Sequence, residues 1–139
     1  MIIKQISAFV ENKPGRLAQI TGILAENNVD MRALSIADTT DFGILRIIVD
    51  NPETVAELMR KNNITVSVNE VIAVKLDDKP GALSMLLTRF SENDIPVEYL
   101  YAFVAKENTG GAYVVIRVED NEKAQHILEQ NCYDGVENI

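Results

Sequence analysis

Asn12-Lys13-Pro14-Gly15 returns as Asp78-Lys79-Pro80-Gly81, an offset of 66 residues. Internal duplication constrains a fold more than any composition, because each copy must repeat the same supersecondary unit. At the same offset Leu17 meets Leu83, Glu26 meets Glu92, Val29 meets Ile95 and Leu34 meets Leu100. Further on, Leu45 to Val49 meets Val114 to Val118 at an offset of 69. Three extra residues in the second copy therefore fall around Lys106 to Gly111, where a surface loop tolerates them.

Each copy carries one order of elements. A strand is predicted from Ile2 to Val10, broken by Lys-Pro-Gly. Leu17, Ile20, Ile23 and Leu24 then recur at helical spacing, as do Leu83, Leu86, Leu87 and Phe90. Pro14 and Pro80 suit the first turn of a helix. Asn12 and Asp78, two residues earlier, are expected to accept hydrogen bonds from its free N–H groups. Asn27-Asn28 and Asn93-Asp94 end the helices. Strands follow at Met31 to Ala37 and Val97 to Ala105, then a turn and a third strand. Asp50-Asn51-Pro52 and Asp120-Asn121 open a second helix, and a last strand is expected to close each unit.

The order βαββαβ, twice, defines an α+β fold. Right-handed crossovers place both helices on one face of a four-stranded antiparallel sheet, the ferredoxin-like arrangement. The expected units are residues 1–69 and 70–139. Thr65 to Leu76 contains no break, so the last strand of one copy is expected to run into the first of the next. In Ile44 to Val49, Leu45, Ile47 and Val49 point one way and Ile44 and Ile48 the other. The second apolar face needs a cover, through stacked sheets or joined edges.

Charge and composition exclude several functions. The net charge is −8, which argues against nucleic acid or an anionic membrane as partner. Residues 1–69 hold 7 basic and 8 acidic side chains, whereas residues 70–139 hold 6 and 13. The third strand of copy one, read as Gly43 to Ile47, has no aromatic for stacking on bases. No apolar run reaches the roughly 20 residues that span a membrane. Met1 to Gln5 opens no secretory leader. Cys132 is the single cysteine, which fits a reducing cytoplasm. His126 is the single histidine. No triad, phosphate loop or metal-ligand spacing is present, so no catalytic residue, metal or cofactor is expected. Asp77-Asp78 reads as a solvated loop.

The strand-to-helix loop remains. Helix N-termini offer unpaired N–H groups and partial positive charge, suited to a carboxylate. Gly15 and Gly81 allow close approach. A zwitterion such as an amino acid needs such a site together with an acceptor for its ammonium.

Asn12-Lys13-Pro14-Gly15-Arg16-Leu17, followed by Ala25 to Met31, resembles an ACT domain. So does Asp78-Lys79-Pro80-Gly81-Ala82-Leu83 followed by Ser91 to Val97. The resemblance covers the whole chain. It implies a regulatory protein that binds small molecules, usually amino acids, where ACT units meet, and a homodimer is expected. The candidate ligand-binding residues are Asn12, Lys13, Pro14, Gly15, Leu17, Asp30 and Met31, with Asp78, Gly81 and Leu83 in copy two. Asp30 stands where serine-binding members carry an asparagine and can pair with an α-ammonium. Copy two has Pro96 there, and Val10 replaces a family histidine, so serine specificity is not implied. Copy one is expected to carry the better site and copy two to serve as its packing partner. The alternative is an accessory subunit that pairs with the ACT units of a metabolic enzyme without a ligand of its own.

Overall fold

The computed structural model describes residues 1–38, 41–103 and 111–136. In chain order the elements are β1 (Ile2–Glu11), α1 (Arg16–Glu26), β2 (Met31–Asp38), β3 (Phe42–Val49), α2 (Pro52–Lys61), β4 (Val66–Asp77), α3 (Ala82–Glu92), β5 (Val97–Phe103), β6 (Gly111–Val118) and α4 (Asn121–Gln130). The chain divides into an N-terminal unit, Lys4–Asn69, and a C-terminal unit that joins Met1–Ile3 to Glu70–Ile139. β4 is one unbroken strand whose first residues serve one unit and whose remainder serves the other. The insertion around Lys106 and the end of the strand expected to reach Ala105 lie outside the described residues.

In the N-terminal unit the strand order is β2-β3-β1-β4. Ile6, Ala8 and Val10 of β1 and Leu45, Ile47 and Val49 of β3 share the helix-covered face. Ile20 and Leu24 of α1 and Val55, Ala56 and Met59 of α2 pack on them. Spacings of four bring one stripe of each helix inward. The C-terminal unit repeats this in the order β1-β4-β6-β5. Its core joins Ile72, Val74 and Leu76 to Val114, Ile116 and Val118 beneath Leu86, Phe90, Ala124 and Leu128. Burying each large apolar side chain contributes roughly 1.5–3 kcal/mol before entropy is charged.

The opposite sheet face of the N-terminal unit is mixed. Gln5 and Ile48 are buried. Gln5 Nε2 donates to Ser7 Oγ at 3.2 Å, and Ser7 Oγ donates to Asn69 Oδ1 at 3.0 Å. The Phe9 and Phe42 rings, 4.8 Å apart, remain largely exposed.

The expected last strand of copy two is, among the described residues, only a bridge between Val74 and Gly135. The Lys75 amide donates to the Asp134 carbonyl at 3.0 Å and the Val136 amide to the Ala73 carbonyl at 3.1 Å, while the Ala73 amide donates to the Met1 carbonyl at 2.8 Å. The first residues of the chain and the closing segment thus share the same side of β4.

All four described helices end in one device. The caps are Asn27, Asn62, Asn93 and Asn131. Each donates its Nδ2 to the carbonyl four residues back, at 2.8–2.9 Å. The following residue, Asn28, Asn63, Asp94 or Cys132, takes a left-handed φ of 54–61°. An apolar residue comes next. The amides of Val29, Ile64, Ile95 and Tyr133 then reach the carbonyls of Leu24, Met59, Phe90 and Leu128. This is the Schellman closure, which satisfies terminal carbonyls and returns the chain to the core. Asn and Asp tolerate the left-handed region better than other side chains do. Cys132 is the departure. Cys132→Asn is therefore expected to raise stability by up to about 1 kcal/mol, and Asn63→Ala to lower it by about the same. Urea unfolding midpoints measure both.

Candidate functional site

Two loops with one geometry precede α1 and α3. β1 ends at Glu11, and the Lys13 amide turns back to its carbonyl at 2.9 Å. The Arg16 amide donates to the Lys13 carbonyl at 3.2 Å, closing a turn with Pro14 and Gly15 at its corners. Gly15 has φ 82° and ψ −10°, the third position of a type II turn. In the second loop the Ala82 amide donates to the Lys79 carbonyl at 3.3 Å, with Gly81 at φ 90° and ψ −12°.

This corrects the helix start expected from the sequence. Pro14 and Pro80 lie in the turn, not in the first helical turn. The N-caps are Gly15 and Gly81, and neither helix has a side-chain cap. Asn12 and Asp78 do not cap. The turn demands a positive φ just before the helix, and only glycine adopts it without cost. A glycine cap also leaves the amides of the first turn without a covering side chain.

The loop lysines are tied back. Lys13 Nζ lies 2.8 Å from Glu11 Oε2, and Lys79 Nζ 2.6 Å from Asp77 Oδ2. The hydrogen bonds from these lysines hold the Glu11 and Asp77 carboxyls below their ordinary pKa, with Coulomb attraction adding to the effect. The bond to Asp77 likewise raises the Lys79 ammonium. Both pairs are exposed, so they shape the loop more than they stabilise the fold. An acid two residues before the lysine, in both copies, was the sequence signal for this clamp.

The remaining candidates separate. Within the N-terminal unit, Asn12 and Asp30 flank opposite ends of α1. Its 11 residues span about 16 Å at 1.5 Å per residue. One small ligand therefore cannot touch both residues of the same unit. Leu17 is exposed, whereas Leu83 packs against its unit's core, as does Met31. The side chain of Asp30 is 58 % exposed and lies 3.4 Å from Arg32 Nη1. Arg32 Nη2 donates to Asp50 Oδ2 at 3.0 Å. That bond, with help from both carboxylates, raises the Arg32 pKa. The sequence reading missed Arg32.

The second loop borders a cavity of about 320 Å³, lined by Lys75, Asp77, Lys79, Met85, Cys132 and Asp134 among others. Small-molecule pockets start near this size. Pro96 borders a larger, acidic cleft with Glu70, Asp94, Glu119 and Glu122. Among the described residues no group of His, Cys, Asp and Glu could hold a metal ion. No described helix is long and apolar enough to cross a membrane.

A family model for an ACT domain pair matches residues 1–138. The chain belongs to that family. No curated protein matches it. The crystal structure of a Bacteroides thetaiotaomicron protein superposes with a TM-score of 0.90 at 37 % identity, over 98 % of this chain and 92 % of that one. The ligand-free regulatory subunit of aspartate kinase from Thermus thermophilus superposes at 0.65 with 13 % identity, over 95 % and 97 %. The Thermus flavus subunit gives 0.62, also at 13 % identity, over 94 % of each chain. The two subunits share the fold of two βαββαβ units.

Gly15→Ala and Gly81→Ala are each expected to destabilise by about 1 kcal/mol, although a methyl group would meet open space at both positions. Denaturant midpoints check this. The carboxyl resonances of Glu11 and Asp77 should titrate below the ordinary range. Lys13→Met and Lys79→Met should move them up. Because these folded-state pKa values are depressed, the pairs favour folding above the unfolded carboxyl pKa, and that help is lost as pH falls through the folded value.

Proposed function

We propose that this chain is a regulatory protein of the cytoplasm, not an enzyme, that binds an amino acid as a homodimer. The observation that carries the reading is the pair of glycine-capped helix starts. Their first-turn amides have no side-chain cap and suit a carboxylate. The ammonium needs an acid, and Asp30 is exposed enough to provide one. Because the loop and Asp30 flank opposite ends of α1, the ligand would join Asn12 to Leu17 of one copy to Asp30 and Met31 of its neighbour. Leu34 and Ile36 on the edge strand β2, 55 % and 45 % exposed, favour an apolar contact there.

The cavity beside the second loop favours a second location for the same chemistry. Lys75 and Lys79 face it together with Asp77 and Asp134, so both charges of a zwitterion find partners. The exposed apolar edge of β2 also suits the alternative of an accessory subunit paired with an enzyme. The regulatory subunits of aspartate kinase, which share the fold, give that alternative a precedent.

Thermal shift and calorimetry against the proteinogenic L-amino acids test the reading. A ligand at about 100 times its Kd should add about 2.7 kcal/mol of stability. Asn12→Ala and Asp30→Ala should each weaken binding about tenfold or more. If the second cavity is the site instead, Lys79→Ala weakens binding and Asp30→Ala does not. Silence from every amino acid at millimolar concentration would refute the ligand-binding reading.

A further inference from the structure

Arg32 occupies an unusual place in its strand. The pairing of β2 with β3 slips between Met31 and Ala33, and that of β5 with β6 slips at the same point, between Val97 and Tyr99. Each unit thus carries a β-bulge in its second strand, and the bulge residue is charged: Arg32 in one, Glu98 in the other. A bulge bends the strand and re-aims one side chain. Arg32 is turned toward Asp50, which follows β3, and toward Asp30 just before its own strand. Glu98 is turned toward Arg117 Nε at 3.4 Å. The device is shared, and the sign is reversed.

Protection of an edge strand accounts for a charge of either sign at such a bulge. It does not account for the cost that Arg32 carries. Its side chain is only 17 % exposed. Its Nε is buried and has no hydrogen-bond partner among the described residues. An unmet buried donor opposes stability. Copy two has Pro96 in place of Asp30, and its bulge has no carboxylate there to position.

We propose that Arg32, turned by the bulge and held by Asp50, positions the Asp30 carboxylate to receive the ammonium group of a bound amino acid, and so makes the first repeat selective for protonated amines. The proposal rests on the reading of the N-terminal site given above. Arg32 acts through Asp30 and does not itself touch the ligand. The long ion pair to Asp30, 3.4 Å against 3.0 Å for Asp50, fits a guanidinium anchored on one side and steering on the other.

The test uses the full chain in calorimetry with each L-amino acid that binds the wild type and with the 2-hydroxy acid of the same skeleton. Arg32→Gln and Asp50→Asn should each weaken the amino acid about tenfold and leave the hydroxy acid within about twofold. Arg32→Lys should recover part of the preference. A merely structural role would weaken both compounds alike. If Arg32→Gln does not fold, Asp50→Asn and Arg32→Lys decide the matter through the same ratio. Retention of the wild-type preference in these variants, with Asp30→Ala abolishing binding, overturns the positioning role and leaves the amino-acid site standing. Failure of every amino acid to bind the wild type overturns both.

Discussion

The fold rests on a backbone constraint applied at the ends of its helices. A helix must release its last carbonyls, and the chain must then dive back under the sheet. A residue in the left-handed region does both at once. Asn28, Asn63, Asp94 and Cys132 take this conformation after the four helices. Val29, Ile64, Ile95 and Tyr133 then enter or flank the cores. Three helix starts use the same region, α1 and α3 through Gly15 and Gly81 and α2 through Asn51. At Gly15 and Gly81 the type II turn, not a side chain, makes the cap, and glycine takes its positive φ without cost. The bare cap at the start of α1 and α3 is thus a by-product of how the chain enters them.

The two copies keep this frame and diverge in their charges. The N-terminal unit presents Asp30, Arg32 and Asp50 at one corner and exposed apolar side chains at Leu17, Leu34 and Ile36. The C-terminal unit buries more of the equivalent loop through Leu83 and gathers acids around Pro96. Duplication followed by such drift lets one scaffold hold unlike surfaces, since the core residues that fix the strands do not take part in either.

The element order and the core faces were legible in the sequence because they depend on period and spacing. Ile20 with Leu24, and Leu86 with Phe90, announce their helices. What stayed hidden depends on backbone angles and on partners distant in sequence. Pro14-Gly15 reads equally as a helix start or as a turn until Gly15's φ is known. Asn62-Asn63 and Asn131-Cys132 close helices as Asn27-Asn28 does, yet a cysteine in the left-handed position disguises the fourth instance. A bulge at Arg32 leaves no mark on composition. Of the candidate site, the loops were readable, and an acid two residues before each lysine marked the clamps, whereas the role of Met31 and Leu83 in the cores came only from packing.

The placement of Met1 to Ile3 in the C-terminal unit has a consequence for how the protein comes into being. These residues are made before the N-terminal unit, yet Ala73, whose amide binds the Met1 carbonyl, follows only after the whole of that unit has been made. At about 5–20 residues per second the opening strand waits for seconds with its first residues unmatched. Loop closure over such a span is slow to repay its entropy. The N-terminal unit can thus assemble early, while the C-terminal unit completes its edge only by reaching back past that unit to residues made before it.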